Sequence, residues 1–482
     1  MSTFSEHCKR YVEESGLTLY EFSQKSGIER TTLYRMINGK RLPSKDVFLN
    51  FCSFLRLNNY NRDILYELYY EERIGTATYK NRKFIHSLIE NMDFIHQNSM
   101  LESNSVLSIG LPIFQNQELS YTTTNSLQTK NTIHQLLIAA FSDSKIQNIY
   151  TNIPQSNSDF FANLPILFHQ NNTDTLNFYH LLTFLSKPER NINPNYNLEI
   201  LEKVLPLSIV PRKNYYPYYH YNEISMEEMT ICTFPYYLVS EAFALEIDTA
   251  FSSAILHVEP NIIALFQKRI NGILKNMCPL FELKSNFMEA SDYYYEFTKK
   301  HLSPTYIMEY SPCVSHLVNL NRISHFIKLL PQPISGTVGS NMISYITNAK
   351  NTTTKHIFSE RGLDYFWQHG KLLGQGAALL PPFPVRIRKH GIQNLIKIVE
   401  QENSPFFCIK ENFHAPQTVY LELHESPHIL LILFTPNNEL RFCHIQEASL
   451  YYAFEDFLSS INDMNLLLSK EEFLQKLNSY VS

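Results

Sequence analysis

SGIERTTLYRMINGKRLPS spans residues 26–44, and six of the seven charges between Lys25 and Lys45 are basic, in a chain of 482 residues whose formal net charge is −5. Gly27 supplies a tight turn and Ile28 points into a core. From Arg30 to Ile37 the apolar residues recur at helical spacing: Leu33, Met36 and Ile37 fall on one side, and Arg30, Thr31, Tyr34 and Arg35 on the other. Asn38-Gly39 stops this helix, and the basic pair Lys40-Arg41 follows it.

Working outward, Phe4–Ser15 reads as a first helix with Phe4, Cys8, Tyr11 and Val12 on one face, ended by Gly16. Thr18 with Glu21 has the spacing of a capping box and opens a helix over Leu19–Ser26. Pro43-Ser44 begins a fourth helix to about Leu55, striped by Val47, Phe48, Phe51, Phe54 and Leu55, and Tyr60–Arg73 makes a fifth. Two short helices joined by a glycine turn and backed by packing helices predict an all-α helix-turn-helix domain over residues 1–75. Residues 1–82 hold 13 Lys/Arg against 10 Asp/Glu, a net of +3, which leaves −8 for the other 400. An acidic body beside a basic head keeps the body off phosphates, so the acidic total does not exclude nucleic acid.

Leu17-Thr18, Phe22, Gly27-Ile28, Thr31, Leu33, Arg35, Asn38-Gly39-Lys40-Arg41, Pro43 and Leu55 together resemble the Cro/repressor-type (XRE) helix-turn-helix family over about residues 5–70. The resemblance implies double-stranded DNA as partner, with the second of these helices crossing the backbone and the third in the major groove. It places Glu29, Arg30, Thr31, Tyr34 and Arg35 at base edges or flanking phosphates and Lys40 and Arg41 on phosphate; Thr18 and Asn38 complete the candidate set. A homodimer is expected, because one head reads only a half-site. Three positions depart from the family pattern: Leu19 where Gln is frequent, Ser23 where Ala is usual, and Ile37 where Glu is common.

Residues 76–104 read as a connecting or dimerisation helix carrying Phe84, Ile85, Leu88, Ile89, Met92 and Ile95, with His86 and His96 on its surface. Beyond residue 105 the period changes to that of an α/β domain, residues 105–280. Its strands are expected at Ile146–Ile153, Leu176–Phe184, Leu207–Val210, Tyr236–Val239, Ala242–Ile247 and Ser253–Val258, and its helices at Leu127–Ser142, Asn195–Val204 and Asn261–Asn276. A hairpin at Ser240-Glu241 favours a mixed sheet. Residues 281–384 look mainly helical and irregular, and Pro381–Pro384 marks a boundary. Residues 385–482 then read as a small α+β unit: a three-stranded antiparallel meander over Thr418–His424, His428–Phe434 and Leu440–Gln446, followed by a helix over Glu447–Ile461. The fold class is thus an all-α head on a large mixed α/β (α+β) body, and no internal repeat is legible.

Chemistry is sparse. HExxH, GxSxG, Walker and GxGxxG motifs are missing, and His369-Gly370-Lys371 lacks the acid a phospholipase D signature needs five residues later. Cys443 and His444 adjoin in a strand and point to opposite faces. Seven scattered cysteines without a CxxC pair predict free thiols and no metal. The N-terminus lacks a signal peptide's apolar core, and the longest apolar run, Ile429–Phe434, falls far short of the roughly 20 residues of a membrane span. A cytoplasmic protein without a membrane partner is expected. Tyr215–Tyr221 (YYPYYHY) is either a core edge, a packed loop or a pocket wall; in the last case Arg212, Tyr215, Tyr216, Tyr218 and Tyr219 would hold a planar or anionic effector. Phe234–Phe266 resembles, without assigning residues, the sensor regions of large bacterial transcriptional regulators with a degenerate phospholipase D-like fold. The sequence therefore predicts a DNA-binding transcriptional regulator with an effector-sensing body, no catalytic residues and no cofactor. The alternatives are a body that binds a protein such as a toxin or phage factor, or one that is an enzyme.

Overall fold

The computed structural model describes residues 3–93, 120–170, 176–188, 193–208, 214–223, 232–284, 287–300, 304–317, isolated positions between 323 and 343, 354–372, 381–425, 427–434 and 440–482. They form two compact units, one ending at Phe84 and including a short segment that ends at Pro194, the other beginning at Ile85. The expected stalk, residues 76–104, is described only to residue 93; Ile95, His96 and Arg212 lie outside the described residues.

The first unit is helical: α1 (Thr3–Glu14), α2 (Leu19–Ser26), α3 (Arg30–Ile37), α4 (Lys45–Phe54), α5 (Asn59–Ile74) and the start of α6 (Thr76–Glu90). Its core is aromatic. The rings of Phe48 and Tyr69 stack at 4.4 Å, Phe4 tilts onto both, and Phe22 meets Phe54 edge-on at 4.7 Å. Such pairs add roughly 0.5–1.5 kcal/mol each beyond the area they bury.

Two mixed sheets build the second unit. The first holds β1 (Ser120–Thr123), β2 (Asn148–Thr151), β3 (Asn177–Leu185), β4 (Asn214–Asn222), β5 (Tyr236–Val239), β6 (Ala244–Ile247), β7 (Ala254–His257) and β8 (Cys278–Pro279), in the order β1-β7-β6-β5-β2-β3-β4-β8. Its helices are α7 (Ser126–Ser142), α8 (Ser158–Gln170), α9 (Tyr196–Ser208) and α10 (Pro260–Leu274). The second sheet holds β9 (Phe281–Lys284), β10 (Pro304–Glu309), β11 (Lys355–Ser359), β12 (Phe406–Ile409), β13 (Val419–His424), β14 (His428–Phe434) and β15 (Leu440–Ile445), in the order β12-β11-β10-β13-β14-β15-β9. With it run α11 (Phe287–Lys300), α12 (Val314–Leu317), α13 (Glu360–His369), α14 (Val385–Val399), α15 (Ala448–Ser460) and α16 (Lys470–Val481).

The two sheets share one topology. Each has three parallel strands (β2-β3-β4, β10-β11-β12), a consecutive antiparallel trio joined to the first of them (β5-β6-β7, β13-β14-β15), and the half's opening strand (β1, β9) beside the last of the trio. Only β8 has no counterpart among the described strands. A helix follows each trio: α10 in one half, α15 in the other. This internal repeat is illegible in the sequence because a shared topology requires only matching periodicities, which unrelated residues satisfy.

Several expectations change. Residues 281–384, expected mainly helical and irregular, hold α11, α12 and α13 among the described residues but also supply the strands β9, β10 and β11. The three C-terminal strands do not stand apart as a small unit: β10 flanks them on one side and β9 on the other, so strands from both sides of Pro381–Pro384 share a sheet. Leu207, where a strand was expected to start, lies in the last turn of α9, and residues 209–210 lie outside the described residues. YYPYYHY is β4, paired in parallel with β3 from Asn177↔Asn214 to Leu185↔Asn222. Pro217 fits there because its carbonyl accepts from Leu280 N–H at 2.8 Å, on the side away from β3. A strand residue's N–H and C=O point to the same side, so the missing donor leaves the β3 ladder whole. His86, expected on the surface, is half-buried, with its ring stacked on Phe413 at 4.9 Å.

Both sheets bury ionisable groups with partners. Burial would raise the Glu422 carboxyl, but hydrogen bonds from His424 (2.8 Å), Tyr420 and Tyr294 (2.7 Å) overcome it and hold the group below its usual range. His180 Nε2 donates to the Ile153 carbonyl at 2.8 Å, so neutral Nδ1 accepts from the Tyr215 hydroxyl at 2.8 Å. Burial pushes His180 down to about 4 against the opposing Ile153 bond, and burial beside His316 pushes His356 down to about 3. Unfolded histidine takes its proton near 6.5, so the unfolded chain binds more protons than the folded one below that value. The contribution of these two histidines is therefore complete above about pH 6.5 and is lost as pH drops toward 4, while the Glu309 carboxyl, pushed up by burial, works in the opposite sense. The change in denaturant midpoint between pH 7.5 and pH 4.5, measured for the parent chain and for His180→Gln, which cannot titrate at that position, should show a smaller loss at low pH in the variant.

Candidate nucleic-acid interface

The geometry of α2 and α3 begins at their ends. Thr18 caps α2: its hydroxyl oxygen accepts from Glu21 N–H, and the Glu21 carboxylate accepts from Thr18 N–H at 2.9 Å and from the Thr18 hydroxyl at 2.8 Å. The backbone bond to Thr18 and then the hydroxyl bond hold Glu21 below its usual range. Gly27 closes α2 at φ +71°, in the left-handed region that a side chain enters at a cost, and its N–H reaches the Ser23 carbonyl.

The turn is tied down from two directions. Ser23 Oγ donates to the Ile28 carbonyl at 2.7 Å, and Asn50 Nδ2 on α4 donates to the Ser26 carbonyl at 3.0 Å. The hydroxyl that departs from the family pattern thus bridges α2 to the start of α3. Tyr69 on α5 donates to the Pro43 carbonyl at 3.1 Å and so anchors the exit of the basic loop. Neither Asn50 nor Tyr69 stood out in the sequence, since pairings across 24 and 26 residues leave no local signature.

On α3, Leu33, Met36 and Ile37 are 0%, 1% and 6% exposed. Ile37, replacing the frequent Glu, is core. Arg30, Thr31, Tyr34 and Arg35 are exposed on the opposite side, and Glu29, Lys40 and Arg41 are exposed at its two ends. Lys25, Arg30, Arg35, Lys40, Arg41 and Lys45 make no ion pair among the described residues. Lys40 Nζ sits 5.0 Å from the centre of the Tyr34 ring, so this cation is steered toward the outer face of α3. Glu29 Oε1 accepts from the exposed Thr31 hydroxyl at 2.5 Å, which leaves that oxygen's lone pairs free to accept. Two candidates have structural roles already: the Thr18 hydroxyl is the cap, and half-buried Asn38 donates to the Tyr34 carbonyl at 2.8 Å.

The tyrosines proposed as one effector wall do not converge. Along β4 they alternate: Tyr215 (1% exposed) and Tyr219 (8%) face one side, and Tyr216 (39%) with Tyr218 faces the other. Tyr215 joins the core around Phe178 and His180. Tyr216 instead ends a ladder of rings across three strands, Tyr150–Tyr179 at 5.0 Å and Tyr179–Tyr216 at 5.3 Å, beside a parallel ladder of amides, Asn148, Asn177 and Asn214. Gly370, inside the His-Gly-Lys triplet, is the left-handed residue that ends α13.

Two short helices at a glycine turn, with an outward basic face on the second, define a helix-turn-helix domain of the DNA-binding kind. Residues 9–58 match the family model described as helix-turn-helix, and the N-terminal domain is of the Cro/repressor type. Among solved structures the chain is similar to TrmBL2, an archaeal chromatin protein whose structure shows a novel mode of DNA binding, at 11% identity over 57% of this chain and 94% of that one with a TM-score of 0.23. It is also similar to polyphosphate kinase from Porphyromonas gingivalis, at 9% identity over 75% of this chain and 54% of that one with a TM-score of 0.24. No curated protein matches the chain. No helix among the described residues is long and apolar enough to cross a membrane.

Ser23→Ala removes the bridge across the turn and strands the Ile28 carbonyl, at a cost of about 1 kcal/mol. Chemical denaturation followed through the first unit's signal should register that loss, whereas Ser53→Ala, which breaks no side-chain hydrogen bond among the described residues, should not.

Proposed function

We propose that the protein is a sequence-specific DNA-binding transcriptional regulator of the cytoplasm. The observation that carries this reading is the outer face of α3: Arg30, Thr31, Tyr34 and Arg35 project from a helix whose opposite face is locked into a core, on a motif matched by a helix-turn-helix family. In this reading α3 enters the major groove. Arg30 and Arg35 have the fork for guanine O6 and N7, and Thr31 offers its methyl to thymine. Lys40 and Arg41 grip phosphate as they leave the groove.

A homodimer would place two α3 helices in successive major grooves about 34 Å apart. The second unit then serves as the oligomerisation and effector-sensing part, biasing the spacing of the two heads through differential affinity for its arrangements. It performs no chemistry in this reading and needs no cofactor or metal.

Binding to the DNA upstream of its own gene, compared with scrambled DNA at two salt concentrations, tests the reading. Tight, sequence-dependent binding with a steep salt slope supports it; weak binding indifferent to sequence overturns it. Arg35→Ala should cost roughly 1–3 kcal/mol on the specific site and much less on scrambled DNA. Lys40→Ala should weaken both alike and flatten the plot of log K against log salt by about one phosphate's worth, measured by fluorescence anisotropy.

A further inference from the structure

We propose that the second unit carries its own contact for the backbone of double-stranded DNA, on the outer face of α14. This rests on reading the chain as a DNA binder, but not on α3 as the reader.

α14 contains Arg386, Arg388, Lys389, His390 and Lys397 and no acid along its length, in a part of the chain that is otherwise net acidic. Its inner face is fixed. Gly391, Ile392, Leu395 and Val399 are buried, and a Cβ on Gly391 would come within 2.7 Å of the Leu317 carbonyl oxygen. Arg388 turns inward to donate to the carbonyls of Trp367 and Gln368 at the end of α13. The exposed stripe is what remains: Arg386, Lys389, His390, Gln393 and Lys397, at helical spacings of three and four. Neither Arg386, Lys389 nor Lys397 makes an ion pair among the described residues.

Local electrostatics opposes this placement. Cations at the N-terminal end of a helix meet its positive dipole end and cost stability. Eight other helices here, α1, α2, α4, α8, α9, α11, α13 and α16, put an acid in the first turn, as that dipole favours. α14 puts arginine there, and Pro384 gives it no side-chain cap. Of the outward cations Arg386 stands against the dipole and Lys397, in the last turn, stands with it; a first-turn arginine without an internal counter-charge marks a conflict of the sort found at binding surfaces.

The chemistry of the stripe selects its occupant. From Arg386 to Lys397 it spans about 16 Å at 1.5 Å per residue, a length over which duplex DNA presents on the order of ten phosphates. No Phe, Tyr or Trp lies on α14, and His390 is its one ring, so a run of bases has no row of platforms to stack on, which disfavours single strands. What the stripe offers is charge at regular spacing, suited to the phosphates of a duplex whatever its sequence.

The test uses the full chain and a random-sequence 30-base-pair duplex. Arg386→Gln/Lys389→Gln/Lys397→Gln should flatten the slope of log K against log salt by about 2–3, and should do so equally in a chain that already carries Arg35→Ala/Lys40→Ala. An unchanged slope, with the melting temperature retained, overturns the proposal. If the triple variant does not fold, Gln393→Glu decides: a several-fold weaker affinity supports the contact, and an unchanged affinity removes it. Loss of binding to phosphatidylglycerol vesicles with the DNA slope intact would assign the stripe to a membrane surface and overturn it as well. The reading of α3 fails separately, if Arg35→Ala leaves the specific complex unaffected.

Discussion

Burial of Leu33, Met36 and Ile37 is the constraint from which the rest of the first unit follows. A helix has one rotation about its axis to choose, and placing these three against Phe22 and the aromatic stack of Phe4, Phe48 and Tyr69 uses it up. Arg30, Thr31, Tyr34 and Arg35 then have only one direction left. The ties at the turn set the remaining freedom, the angle between α2 and α3. Ser23 holds one side of the turn, Asn50 holds the other, and Gly27 supplies the left-handed residue between them. The interface is therefore placed by residues that never need to touch a ligand.

In the second unit the corresponding constraint is polar. The halves share one topology, and a bonded chain joins them: Tyr221 donates to Glu447, Glu447 accepts from the Ser449 hydroxyl at 2.8 Å, and Asn197 donates to Ser449 at 2.8 Å while pairing with both backbone groups of Leu185. Glu447 is fully buried and also caps α15 through the N–H groups of Ser449 and Leu450. Apolar faces tolerate sliding, whereas a buried carboxylate with four donors admits one arrangement.

The first unit was legible because its signals are local. A capping box, a glycine turn and apolar residues three and four apart all fall within one window, and Thr18, Glu21, Gly27 and Leu33 stand where the periodicity put them. In the body, helices α7, α9 and α10 and strands β3 and β5 were legible for the same reason. β4 was not, because a proline amid tyrosines reads as a loop until its neighbour on each side is known. Nor was the membership of β9, β10 and β11 in one sheet with β13, since Tyr306 and Leu423 become partners only through pairing across more than a hundred residues. The tyrosine wall failed on alternation: neighbours in a strand face opposite ways, so proximity in sequence there means separation in space.

Pro217 has a consequence for the unfolded and half-folded chain. Seven consecutive residues of YYPYYHY carry no acid or lysine, and in an extended form such a segment is a template for adding strands from other molecules. In the folded sheet β8 and the Leu280 that follows it cover β4's outer edge from Pro217 to Tyr219. The proline ring removes a donor from that same outer edge, so a foreign strand arriving there finds a gap in the ladder, while the partner on the inner side finds none. One imino acid thus leaves a tyrosine-rich strand with a full set of donors toward β3 and one fewer on its other edge.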